Sequence, residues 1–188
     1  MFGPLPIEPQ ELIQQLVTEV TSRVSGNWSS KENTTWTLAV KEALKLIATR
    51  HSKTAKCFYT RAEPGMREFL LDVVWWDNDA ASFACECEWQ FARFSNSEQY
   101  AIAVGEDFEK LLVFKAPLKL MIFASSDSEI QQNILEEIKR YYSGYQHHVD
   151  GEVYLILDFA PTPKVWIARV DRNGPSAPFA EEMPMSFN

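Results

Sequence analysis

The segment from residue 69 to residue 89 constrains this chain more than any other. It holds two strongly apolar runs, Phe69-Leu70-Leu71-Asp72-Val73-Val74-Trp75-Trp76 and Ser82-Phe83-Ala84-Cys85-Glu86-Cys87-Glu88-Trp89, either side of the turn Asp77-Asn78-Asp79. Such short polar punctuation between two apolar runs predicts an antiparallel hairpin. Each run also carries carboxylates among apolar neighbours, where an ionised group costs several kcal/mol, on the order given for buried charges, unless a partner or a cation meets it. Glu86 and Glu88 are two apart and share a strand face with Ala84, while Asp72 shares a face with Leu70, Val74 and Trp76. With the hairpin midpoint near residue 79, Asp72 falls opposite about residue 86. The expectation is a cluster of three acids near mid-sheet. Such a cluster either takes up protons or takes up a cation, and oxygen-only donors suit Mg²⁺ or Mn²⁺ rather than zinc. Read from periodicity alone, Glu86 and Glu88 could equally face water on an open sheet face.

The flanking chain supplies the other layers. Residues 10–23 place Ile13, Leu16, Val17 and Val20 at helical spacing, and residues 35–51 do the same with Trp36, Val40, Ala43, Leu44 and Ile47. Glu42 lies one turn from that stripe and reads as a solvated surface charge. The period then changes to that of strands over residues 55–60, 67–76 and 81–91, with a turn at Glu63-Pro64-Gly65, which predicts a three-stranded meander. A helix over 97–114 follows, weakened in its middle by Gly105. Next come an apolar strand over 118–124 and a helix after Ser125-Ser126-Asp127-Ser128, with Ser128 and Gln131 spaced as a capping box and Gly144 as its stop. Strands over 151–159 and 164–171 close the pattern. The helix between the third and fourth strands predicts a right-handed crossover that makes those two strands parallel. The fold class expected is α/β, a mixed central sheet with helices on both faces, in a single domain over 1–188. Residues 1–9 read as an arm, and residues 173–188, with three prolines and no basic residue, as a tail.

Charge and cysteine usage narrow the partners. With 26 acidic against 18 basic residues the net charge is −8, which is adverse to unaided phosphate-backbone binding. Three cysteines make no disulfide framework and suit a reducing, cytoplasmic setting. No segment is long and apolar enough for a membrane span, so no membrane partner is expected. His147-His148 reads as a solvated turn rather than a metal site, and Trp75, Trp76 and Trp89 read as core.

The order helix, three-stranded meander, helix, strand, together with Asp72 on the second strand and Glu86-Cys87-Glu88 on the third, resembles the core of the PD-(D/E)xK nuclease superfamily, the restriction-endonuclease-like fold. The resemblance covers residues 35–125. Leu71 stands where the family often has Pro, and Glu88 where it usually has Lys. Lys110, in Asp107-Phe108-Glu109-Lys110-Leu111-Leu112, is placed to replace that lysine from the following helix. The resemblance implies that Asp72 and Glu86 ligate Mg²⁺ or Mn²⁺. It implies that Glu88 adds a ligand or orients the attacking water, and that Lys110 stabilises the phosphate in hydrolysis of a DNA phosphodiester. A homodimer would suit cutting two strands. The missing lysine and the acidic balance point instead to a non-catalytic member of the fold serving as a protein-interaction or scaffold module. A glycosidase with paired carboxylates lacks any sugar-binding pattern here.

Overall fold

The structure, a computed structural model, describes residues 4–24, 33–57, 71–89, 96–160, 162–175, 179 and 181–185. Helix α1 spans Pro9–Arg23 and helix α2 spans Asn33–Arg50, followed by strands β1 Thr54–Cys57, β2 Val73–Asp77 and β3 Ala80–Glu88. Helix α3, Ser97–Val113, leads to β4, Leu118–Phe123, and helix α4, Ser128–Gly144, leads to β5, Val153–Asp158. Strand β6 is Lys164–Asp171, and two short strands, β7 Gly174–Pro175 and β8 Glu181–Glu182, lie within the predicted tail. The predicted turn at 63–65 and the outer ends of the first three predicted strands fall outside the described residues.

All the strands belong to one mixed sheet in the order β1-β2-β3-β4-β5-β6-β7, with β8 also on β6. β1, β2 and β3 form the expected antiparallel meander. β3 and β4 are parallel across α3, and β4 and β5 are parallel across α4. β4 and β5 are buried along their whole length, as parallel strands covered on both faces should be. One face carries α1 and α2, whose Leu12, Ile13, Leu16, Val40, Leu44 and Ile47 pack on Val73, Trp75, Phe83, Cys85, Leu120 and Leu155. The other carries α3 and α4, whose Val104, Phe108, Ile134 and Ile138 pack on Val74, Ala84, Met121 and Ile156.

The hairpin register is the one the midpoint predicts, by way of a bulge. Asp77 pairs with Ala80 across Asn78-Asp79, and Trp76 with Ala81. Asn78 takes φ 54°, a left-handed conformation that Asn tolerates better than most residues. Ser82 is then passed over, so Trp75 meets Phe83 and Val73 meets Cys85. That extra residue restores the alignment in which position 72 comes opposite 86, because a one-residue slip sends every side chain to the other face.

Three local expectations are corrected. The cap of α4 is Asp127, not Ser128: its side chain accepts the Ile130 N–H at 2.9 Å, and its backbone is extended while Ser128 is already helical. Gln131 makes no capping box, because its side-chain amide reaches Asp158. Gly105 does not interrupt α3. It lets α3 approach α4 so closely that a Cβ there would stand 2.6 Å from the Tyr141 ring. The tail is in part structured: β7 and β8 pair with β6, and Phe179 is buried against Phe108 and Tyr142.

Candidate functional site

β2 begins at Val73, and Asp72 lies just before it, outside the strand. The carboxylate takes over from the backbone ladder there. Its Oδ2 accepts the Cys87 N–H at 3.0 Å and the Cys87 S–H at 3.1 Å. Its Oδ1 lies 2.8 Å from Nζ of Lys41, a buried lysine from the middle of α2. Asp72 therefore sits at a strand end, reachable from the helical layer below the sheet as well as from Glu86 beside it.

Glu86 lies on β3 under α3 and is only 4% exposed. Its Oε1 is buried and receives no hydrogen bond; the nearest cation is Nζ of Lys110, at 3.7 Å. Burial, and next the negative charge of Asp72, push the Glu86 carboxyl up to about 10, against the pull of Lys110; Asp107 and a hydrogen bond with Asp72 push the same way. Lys110 is anchored by Asp107, whose Oδ1 is 2.6 Å from its Nζ, one helical turn back on α3. Burial acts to lower the pKa of Lys110, but the hydrogen bond to Asp107 and the charges of Glu86, Asp107 and Asp72 outweigh it and the net shift is upward. Lys41 behaves alike: burial acts to lower its pKa, and the charge and hydrogen bond of Asp72, with the nearby Cys87 and Cys57, carry it up. Both amines are thus held as ammonium groups.

The group that assembles is Asp72, Glu86, Asp107, Lys110 and Lys41. It lies at the end of the β2–β3 pairing rather than at mid-sheet. Of the residues singled out from sequence, Asp72, Glu86 and Lys110 come together. Glu88 lies two residues on, opposite Phe123 of β4, and the charges acting on Glu86 are those of Asp72, Lys110 and Asp107. Among the described residues no set of three or more His, Cys, Asp or Glu side chains is arranged to hold a metal ion. The oxygens that suit a hard cation are the unbonded Glu86 Oε1 and those of the Asp72 carboxylate beside it. Sequence reasoning missed Lys41 and Asp107. Lys41 carried a signal: it falls beside Val40, Ala43 and Leu44 on a helix whose buried face is otherwise apolar, where a lysine needs an acid. Glu42, its neighbour, is half-buried.

Two other polar clusters are buried. Lys119, in the run expected to be a continuous apolar strand, is fully buried and donates to Glu152 Oε1 and to the Tyr154 hydroxyl, both at 2.9 Å. Burial draws its pKa down to about 8, against the pull of Glu152. The histidine pair is split around this cluster: His147 is exposed, whereas His148 is tucked in, its Nε2 2.9 Å from the Tyr142 carbonyl. At the far end of β5, buried Asp158 accepts the Ser125 N–H at 2.9 Å and the Ser125 hydroxyl at 2.5 Å. Lys119, Glu152 and Asp158 are met by these partners, whereas the Tyr142 hydroxyl beside the first cluster is buried without a hydrogen bond. A groove of about 740 Å³ lies between the outer faces of α3 and α4, lined in part by Ile102, Glu136 and Arg140, away from Asp72 and Glu86.

No described helix is long and apolar enough to cross a membrane. No protein-family model, no curated protein and no solved structure matches the chain.

Proposed function

We propose that the chain is a metal-dependent phosphodiesterase of the PD-(D/E)xK type, with DNA as its polymer and a restriction-endonuclease-like core. The observation that carries this reading is the unbonded, buried Glu86 Oε1 beside the Asp72 carboxylate. A second carboxylate next to a desolvated acid is costly unless a cation arrives. Mg²⁺ or Mn²⁺ accepts one or two protein carboxylates and completes its shell with water, so Asp72 and Glu86 suffice to hold it. When bound, such an ion polarises a phosphoryl oxygen and lowers the pKa of a water.

The chain's own residues divide the remaining work. Asp72 is held in place by the N–H and S–H of Cys87, so its carboxylate keeps one orientation. Lys110 has a side chain 38% exposed, so it stands on the open side of the group, where an incoming phosphate would meet it. Asp107 keeps that ammonium near Glu86. Glu88, farther along β3, has the role of orienting water rather than of first ligand. The free cysteines agree with a reducing, cytoplasmic setting.

A second reading, a non-catalytic scaffold or protein-interaction module on the same fold, has its own support. Lys41 and Lys110 already face Asp72 and Asp107, and Glu86 with its proton adds no charge, so the cluster is balanced without a metal. Thermal melting separates the two. For the nuclease, Mn²⁺ raises the melting temperature of the natural chain and not of Asp72→Asn, and the natural chain nicks plasmid or single-stranded DNA with Mg²⁺ or Mn²⁺. No rise in either protein, with intact DNA throughout, leaves the scaffold.

A further inference from the structure

We propose that Lys41 is the resident counter-cation of the Asp72–Glu86 pair, and that a divalent ion loads this site only in competition with it. The inference rests on the reading of these two acids as a metal-holding pair and concerns how that site is regulated.

Lys41 is 4% exposed, while Val40, Leu44 and Ile47 of the same helix pack into the core. An apolar side chain would serve the packing of α2 better, since a buried ammonium carries a desolvation cost that only a close acid offsets. That acid is Asp72, at 2.8 Å, and it engages Oδ1. The two donors from Cys87 engage Oδ2. A carboxylate accepts about four hydrogen bonds in all, so these three donors and the hydrogen bond with Glu86 fill Asp72, and a metal ion enters only by displacing one of them.

The two sets of donors have separable duties. Cys87 sits on β3, next to Glu86, and its backbone N–H orients the carboxylate whatever stands at position 41. Lys41 adds a positive charge to one oxygen of the same carboxylate. A unit charge a few ångströms from a divalent cation is the larger effect, because Coulomb repulsion at that range exceeds the small rotamer entropy of a short aspartate. Removing the charge at position 41 while the Cys87 bonds remain therefore tightens metal binding rather than loosening it. Lys110 differs in kind: it is more exposed, bound to Asp107, and 3.7 Å from Glu86 Oε1.

The test is calorimetric titration of Mn²⁺ into the full chain, without DNA, for the natural protein, Lys41→Met, Lys41→Gln, Lys41→Arg and Lys45→Met. Lys45 is exposed on the same helix and controls for loss of a surface charge. Lys41→Gln keeps an N–H donor for Asp72 without the charge, and carries the test if Lys41→Met loses its near-ultraviolet circular dichroism. The expected result is Mn²⁺ affinity raised about tenfold or more in the uncharged variants, on the Coulomb scale above, with Lys41→Arg and Lys45→Met like the natural chain. Binding seen only in the uncharged variants supports the proposal in its strongest form. Equal or weaker binding in those variants, with the natural chain binding Mn²⁺, overturns the role of Lys41 and leaves the metal site standing. Absence of binding in every protein overturns both.

Discussion

Glu86 shows how one side chain can report its surroundings. Its carboxyl titrates at about 10 in the folded chain, raised first by burial and then by Asp72, against an ordinary value of 4.5. Below that ordinary value both folded and unfolded chains carry the proton. As pH rises from 4.5 toward about 10, the unfolded chain gives the proton up and the folded chain keeps it, so stability falls across that window. Glu86→Gln removes the group, and its melting temperature, measured with chelator present, should decline less steeply between pH 6 and 9, values chosen roughly inside the window. A slope unchanged from the natural chain would mean that Glu86 is more hydrated than its 4% exposure implies. Lys119, opposite Ala84 on the neighbouring strand β4, makes the complementary case. Lys119→Met leaves Glu152 buried without its cation, and urea denaturation should register a loss of about 3–5 kcal/mol, the range for breaking a buried pair from one side. The Val149 N–H and the Tyr154 hydroxyl still reach Glu152 Oε2, which places the expected loss toward the lower end.

Among the elements, the helix starts separate what neighbouring residues can and cannot settle. Ser125-Ser126-Asp127-Ser128 offers four capping side chains in a row, and the S-x-x-Q spacing favours Ser128. The structure selects Asp127, because Gln131 is drawn away to Asp158, 27 positions along the chain. Asp127→Ala should cost about 1 kcal/mol and Ser128→Ala less than about 0.5 kcal/mol, read as a pair by urea denaturation. A reversed order would return the cap to Ser128. α3 teaches the same lesson through Gly105. Helix propensity counts the glycine as a defect, and only the position of Tyr141 and Glu137 on α4 shows it to be a contact point. By contrast β4, β5 and β6 were legible to within two residues, while the second strand, expected over 67–76, begins only at Val73. The β2–β3 register followed from the position of one turn, and the bulge at Ser82 brought the chain back to the alignment that turn implied.

For the whole molecule, the C-terminal residues are the clearest departure from the sequence reading. A stretch with several prolines and no basic residue has the composition of a tail, yet Phe179 is 2% exposed between Phe108 and Tyr142. It holds φ 51°, a left-handed conformation unfavourable for a bulky residue, which its buried ring offsets. β8 then pairs with β6, and Met183 and Met185 pack on the opposite face of the sheet from Phe179. The chain end thus engages both faces at the β6 edge. Phe179→Ala should cost about 3–5 kcal/mol by urea denaturation, as for other buried phenylalanines, whereas a free tail would show no change.

What the residues determined alone was everything carried by short-range pattern: four amphipathic helices, the meander, the parallel crossover through α3, and the pairing that sets Asp72 against Glu86. Period and turn length are local quantities, and a strand's alternation transmits them faithfully over a few residues. What only the tertiary structure decided was which charges meet. Lys41 and Asp72 are 31 positions apart, and Lys110 and Glu86 are 24 apart. No spacing rule links them, because their meeting depends on how two helical layers settle on opposite faces of one sheet. The same long-range packing put Asp107 and Lys41 into the group and left one oxygen of Glu86 buried without a hydrogen bond.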